Sequence, residues 1–168
     1  MTNPKSRLSM TNPWHLLATG FGSGLSPVVP GTMGTLASVP FYLLLAQLPL
    51  TLYIVVVIAA SLIGIKICQV TSNDMQVHDH GSIVWDEFAG FWITMLIVPV
   101  LQLPVFEWKW LLAGFVLFRF FDMVKPWPIG WLDKRVHGGL GIMLDDLVAG
   151  VMSALALALV GYWAGWLS

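Results

Sequence analysis

The sequence predicts an all-α fold, a multi-pass helical membrane bundle of about four to five spans with a re-entrant or irregular Gly/Pro segment at 23–35. Three observations carry this expectation. Hydrophobic residues fill 57% of the 168 positions and charged ones only 10%, with a mean hydropathy of +0.80, far from a soluble average. Apolar runs follow one another with short breaks marked by proline, glycine or polar residues. Most of the few charges are gathered in the N-terminal arm, in residues 74–87 and in residues 119–146, so one part of the molecule is chemically equipped while the rest is apolar.

Taken in order, residues 1–12 carry Lys5 and Arg7 and read as a short flexible cytoplasmic arm. They lack the apolar core of roughly 7–15 residues that a cleaved signal requires. Trp14 to Gly20 suits one or two turns of interfacial helix, with Trp14 at headgroup depth. Ser23 to Thr35 is broken by Gly24, Pro27, Pro30, Gly31 and Gly34, and is expected to be irregular, its free amides lining a polar cavity. Spans are expected over 33–48, 50–70, 88–103, 109–124 and 146–167. The first of these is short for a bilayer core of ~30 Å at about 1.5 Å per residue. The fourth ends at Lys125-Pro126-Trp127-Pro128, because proline lacks the N–H and disfavours helix in the residue before it. A basic, glycine-rich loop follows, with Lys134, Arg135, Gly138, Gly139 and Gly141.

With the arm in the cytoplasm, alternation of spans places 71–85 and 125–144 there as well, and Lys125, Lys134 and Arg135 satisfy the positive-inside rule. A net charge of −1 gives no reason to expect nucleic acid as a partner. The single cysteine, Cys68, excludes an internal disulfide, and it has no arginine six residues on, so a cysteine-phosphatase loop is excluded. No P-loop is present.

The carboxylates Asp86, Glu87, Asp122, Asp145 and Asp146 fall at one end of three different spans. Gathered in a bundle they would repel, and a hard cation such as Mg²⁺ completed by water and a substrate phosphate offsets that repulsion. Asp86-Glu87 and Asp145-Asp146 each stand just before an apolar helix, where first-turn carboxylates also suit the helix dipole. Arg119 and Asp122 lie on one helical face and are either a structural pair or part of a site. His78-Asp79-His80 is not a convincing zinc site, since residues two apart converge only in an extended segment and no cysteine is near. It reads as a polar loop folding over the site, with His78 or His80 as candidate proton donor. Arg119, Lys125, Lys134 and Arg135 are candidate phosphate binders, helped by backbone amides around Gly31, Thr32 and Gly34 in an anion nest.

Three stretches, GFGSGLSPVVPGTMGTL (20–36), VHDHGSIVWDEFAGFW (77–92) and FRFFDMVKPWPIGWLDKRVHGGLGIMLDDLVAGV (118–151), resemble the phosphatidylglycerophosphatase A family of bacterial inner-membrane lipid phosphatases. The resemblance runs from about Asn12 to Gly150. It implies a single membrane-embedded phosphatase domain over 1–168 that removes, with Mg²⁺, the terminal phosphate of phosphatidylglycerophosphate to give phosphatidylglycerol, with its site toward the cytoplasm. Two other classes fit the residues less well. A small transporter would relay ions through Arg119 and Asp122, but such proteins show broken-helix repeats and polar groups in both halves. A non-enzymatic subunit would use the basic loop to dock a partner or anionic lipid.

Overall fold

The computed structural model describes residues 4–166. Among them the regular elements are all helical: α1 (Pro13–Ala18), α2 (Pro30–Leu45), α3 (Leu50–Met75), α4 (Trp85–Met95), α5 (Ile97–Val100), α6 (Trp108–Val124), α7 (Ile129–Arg135) and α8 (Gly138–Trp163). Two short 3₁₀ turns cover Pro4–Arg7 and Ser23–Leu25. Residues 1–3 of the expected arm and the Leu167 limit of the last expected span lie outside the described residues. Where the arm is described, the Ser9 amide donates to His15 Nδ1 at 3.0 Å, and His15 Nε2 lies 2.9 Å from Asp74 Oδ2 at the end of α3.

Local chemistry explains several helix ends. Asn12 caps α1 by accepting from the Trp14 amide at 3.0 Å, and Pro13 takes the first helical position, where its missing N–H costs nothing. Pro49 separates α2 from α3. Lys125 adopts a left-handed conformation (φ 45°) after α6, and Pro126 prevents continuation.

Two boundaries differ from expectation. The irregular backbone ends at Val29, and from Pro30 onward the chain is α-helical, so Gly31, Thr32 and Gly34 form the first turns of α2 rather than a loop nest. Their glycines serve close approach: a Cβ at Gly34 would meet Val84 Cβ at 2.5 Å. The last helix starts at Gly138, so Asp145 and Asp146 sit two turns inside α8 and not in its first turn. Dipole capping therefore accounts for Asp86-Glu87 but not for Asp145-Asp146. The third apolar run is divided into α4 and α5.

Helix α8 is the central element, packed against α3, α4, α6 and α7. Glycines set the α4–α8 contact, since a Cβ at Gly150 would run into the Gly90 carbonyl and one at Gly90 would come within 2.7 Å of the Asp146 carbonyl. Aromatic side chains fill the core around it, with Phe88, Phe91, Trp110 and Phe118 fully buried. Among the buried aromatics, Tyr53 Oη donates to the Trp92 carbonyl at 2.7 Å and Trp92 Nε1 to the Ser38 carbonyl at 3.2 Å, whereas Tyr42 Oη and Trp110 Nε1 are buried without a partner. The outer surface is the reverse of a soluble protein's. Leu44, Val55, Leu62, Val116, Leu155 and Leu159 are exposed, and α3 and α8 are each long and apolar enough to cross a bilayer. This is a membrane protein.

Candidate active site

The helices bring the charged stretches to one end of the bundle. The start of α2, the end of α3, the start of α4, the end of α6 and the first turns of α8 come together there, with α7 beside them. At the other end, Trp110 meets Trp166 edge-on at 5.2 Å, and Glu107 and Lys109 pair at 2.8 Å.

Between these helix ends lies a cavity of about 370 Å³, lined among others by Gly31, Asp86, Glu87, Arg119, Asp122, Lys125, Asp145 and Asp146. Five carboxylates from three helices thus share one concave surface. Asp86, Glu87, Asp145 and Asp146 are buried. Such an arrangement is expensive without compensation, because each charge loses hydration and repels its neighbours.

Two cations compensate part of it. Arg119 Nη1 lies 2.6 Å from Asp122 Oδ2 and 3.4 Å from Glu87 Oε1, and donates to Thr35 Oγ1 at 3.4 Å. Lys125 Nζ bridges Asp145 Oδ2 at 2.5 Å and Asp133 Oδ1 at 2.8 Å. Burial alone would lower the Lys125 pKa, but the hydrogen bonds to Asp133 and Asp145 outweigh it and hold the pKa above its ordinary value. Arg119 and Asp122 are thus paired, and the pair forms part of the cavity wall.

The compensation is incomplete. Asp86 Oδ1, Glu87 Oε2 and Asp146 Oδ2 are buried without a hydrogen-bond partner, as is Arg119 Nε. Buried carboxylate oxygens without partners, on three residues that line one cavity, match the preference of a hard divalent cation for oxygen ligands. Among the described residues no three His, Cys, Asp or Glu side chains are already gathered as a metal-ligand set. Mg²⁺ does not demand one, because it usually keeps several waters and takes one or two carboxylates plus a substrate phosphate. The donors present fit that mode.

Several expected residues are not brought to the cavity. Lys134 and Arg135 form the exposed last turn of α7, where the Arg135 guanidinium stacks 4.9 Å from the Trp131 ring centroid. His78 Nε2 accepts from the Gly138 amide at 2.8 Å. His80 Nδ1 accepts from the Ser82 amide at 3.1 Å, and burial, then Lys5, lower its pKa. Thr32 and Gly34 do not line the cavity either. Conversely, Asp79 of the loop between α3 and α4 does line it. Its place inside VHDHGSIVWDE, seven residues before Asp86, was the available signal, obscured by the two flanking histidines.

The family model described as Phosphatidylglycerophosphatase A matches residues 16–161. The chain belongs to the phosphatidylglycerophosphatase A family. It is 60% identical over 158 residues to Phosphatidylglycerophosphatase A of Escherichia coli (strain K12), covering 94% of this chain and 89% of that protein. With the Haemophilus influenzae protein of the same name it shares 44% over 162 residues, 96% of each. A Bacteroides thetaiotaomicron protein provisionally named a phosphatidylinositol-3-phosphatase is 36% identical over 159 residues, covering 89% of this chain and 94% of that one. No solved structure matches the chain. Membership of the phosphatidylglycerophosphatase A family makes the chain a phosphatase, and the cavity is the place in it where cations and carboxylates converge.

Proposed function

We propose that the chain removes the terminal phosphate of phosphatidylglycerophosphate, giving phosphatidylglycerol and inorganic phosphate, as a Mg²⁺-dependent step of phospholipid biosynthesis. The observation that carries this reading is the set of three unpartnered buried carboxylate oxygens, on Asp86, Glu87 and Asp146, opposite the cations Arg119 and Lys125 in one cavity. Named relatives at 60% and 44% identity support the choice of substrate. The protein is proposed to lie in the bacterial inner membrane with about five traverses and the cavity toward the cytoplasm, from the bias of lysine and arginine at that end.

One or two of Asp86, Glu87 and Asp146 would hold Mg²⁺, its other positions being left to water and the substrate phosphate, with Asp122 and Asp145 beside them. When bound, Mg²⁺ supplies positive charge against the phosphoryl oxygens and offsets the repulsion among the carboxylates. Arg119 grips phosphate oxygens through the guanidinium edge that Asp122 and Glu87 leave free, a planar fork suited to that task. Lys125, a protonated point charge fixed by Asp133 and Asp145, meets the developing negative charge from the other side. The departing glycerol oxygen needs a proton. His78 and His80 do not line the cavity, so neither is placed to donate it directly, whereas Asp79 does line it.

Phosphate release by the detergent-solubilised protein tests this reading, with phosphatidylglycerophosphate as substrate and with Mg²⁺ present or removed by chelator. Turnover that needs both supports it. Unchanged turnover in chelator would remove the metal, and absence of turnover with Mg²⁺ would remove the substrate.

A further inference from the structure

We propose that the lipid-facing seam between α2 and α6 is the lateral entrance to the cavity and the seat of one acyl chain of the lipid substrate. This rests on the lipid phosphatase reading and adds where the tail lies. At their charged ends α2 and α6 form opposite walls of the cavity, through Gly31 on one side and Arg119 and Asp122 on the other. The two helices pack only lightly against each other, whereas α4–α8, α6–α8 and α2–α4 are close-packed. The long Arg119–Thr35 hydrogen bond of 3.4 Å crosses the seam at its upper end.

One turn further along, the seam opens into a hollow of about 410 Å³ whose lining is wholly apolar: Leu36 and Val39 from α2, Trp108, Leu111, Leu112 and Phe115 from α6. Phe115 precedes Arg119 by one helical step of four, and Val39 follows Thr35 by the same step, so hollow and cavity lie along the same two helix faces. From Trp108 to Arg119 the distance at 1.5 Å per residue is about 16 Å, close to half of a ~30 Å hydrocarbon core and so to the depth of one leaflet. A lipid whose phosphomonoester occupies the cavity must keep its chains in hydrocarbon. The seam lets it do so without withdrawing the headgroup. A larger apolar hollow of about 560 Å³, lined by Phe41, Leu44, Val56 and Trp92 among others, lies beside the α2–α3 turn and takes no residue from α6, the helix that carries Arg119 and Asp122.

Leu36 and Leu112 are both 54% exposed, so Leu36→Trp with Leu112→Trp fills the seam without entering the core. The measurement is kcat/KM for long-chain phosphatidylglycerophosphate and for its deacylated, water-soluble counterpart. The double variant should lose roughly tenfold or more on the long-chain lipid, equivalent to lost contact with about two buried methylenes, and nothing on the deacylated compound. Equal losses, or none, would overturn the proposal. Photolabelling by phosphatidylglycerophosphate carrying a diazirine in one acyl chain reads the seam directly in the unaltered protein. Adducts should concentrate on Leu36, Leu112 and Phe115 over Phe41 and Leu44, and phosphatidylcholine with the same chain should show no such excess. Equal labelling of both hollows means bulk lipid only and sinks the seam. If neither compound is hydrolysed by the unaltered protein, the phosphatase reading fails, while the labelling pattern still decides the seam.

Discussion

Gly90 of α4 lies so close to Asp146 of α8 that a Cβ at position 90 would stand 2.7 Å from the Asp146 carbonyl oxygen. A backbone atom of the central helix cannot yield as a flexible side chain would. The absence of one methyl group thus sets the spacing between the helix that carries Asp86-Glu87 and the helix that carries Asp145-Asp146. Gly90→Ala is expected to destabilise by about 1–3 kcal/mol through overpacking and to lower activity by separating the two acidic pairs. Gly81→Ala, where a Cβ would meet only Pro30 Cγ at 3.6 Å, should keep its thermal midpoint in detergent.

The acidic pairs should behave as one unit. Asp86→Asn and Asp146→Asn are each expected to remove most of the activity, and the double variant to cost little more than either alone, because groups that act together are grossly non-additive. Losses that multiply in a double-mutant cycle of kcat/KM would separate the two helices into independent sites.

Mg²⁺ should stabilise the folded protein by mass action, by about 2.7 kcal/mol at a concentration a hundred times its Kd. Asp146→Asn should abolish this Mg²⁺-dependent rise in the thermal midpoint. In chelator the same variant should melt no earlier than the unaltered protein, since it removes one of several mutually repelling buried charges. A variant that still gains stability from Mg²⁺ would place the cation elsewhere.

Cations should sort by position. Arg119→Ala strands Asp122 and Glu87 and is expected to cost roughly 3–5 kcal/mol, whereas Arg119→Lys should fold and lose on the order of a hundredfold in kcat/KM, since a point charge cannot replace the fork. Lys134→Ala and Arg135→Ala, on the exposed turn of α7, should stay within a few-fold of normal turnover. A Lys134 or Arg135 variant as impaired as Arg119→Lys would bring α7 into the site.

Much of this arrangement could be read from the residues, and the exceptions share a cause. The end of α6 was legible because Pro126 acts on its immediate neighbour. The start of α8 was not. Gly138, Gly139 and Gly141 look like a loop, yet the helix begins there because its first amides are satisfied from far away, Gly138 by His78 Nε2 and Gly139 by Gln69 Oε1 at 2.7 Å. A Cβ at Gly139 would collide with the α3 backbone around Ile65 and Gln69, so the glycine is a packing residue. Gly31 and Gly34 were misread for the same reason, being small because Glu87, Arg119 and Val84 press against them. The charged residues of the cavity were legible as a class, since so few charges occur in so apolar a chain. Which of them line the cavity depends on helix phase at the far end of long sequence separations: Asp79 does, while Lys134 and Arg135 do not.

Orientation can be tested on single cysteines, with the native Cys68 buried and silent. Cysteines at Asp74 and Lys134 should be protected from an impermeant reagent in intact cells, and one at Glu107 labelled. The opposite pattern would turn the cavity away from the cytoplasm.

The central claim is that the buried carboxylates between α4 and α8 are the Mg²⁺-dependent phosphatase site. The most direct test is phosphate release from phosphatidylglycerophosphate across a Mg²⁺ series, by the unaltered protein and by Asp146→Asn in the same detergent. The unaltered protein should show a saturable requirement for Mg²⁺, with Asp146→Asn below it by a factor on the order of a hundred or more at every concentration. A folded Asp146→Asn protein with normal turnover and a normal response to Mg²⁺ would contradict it.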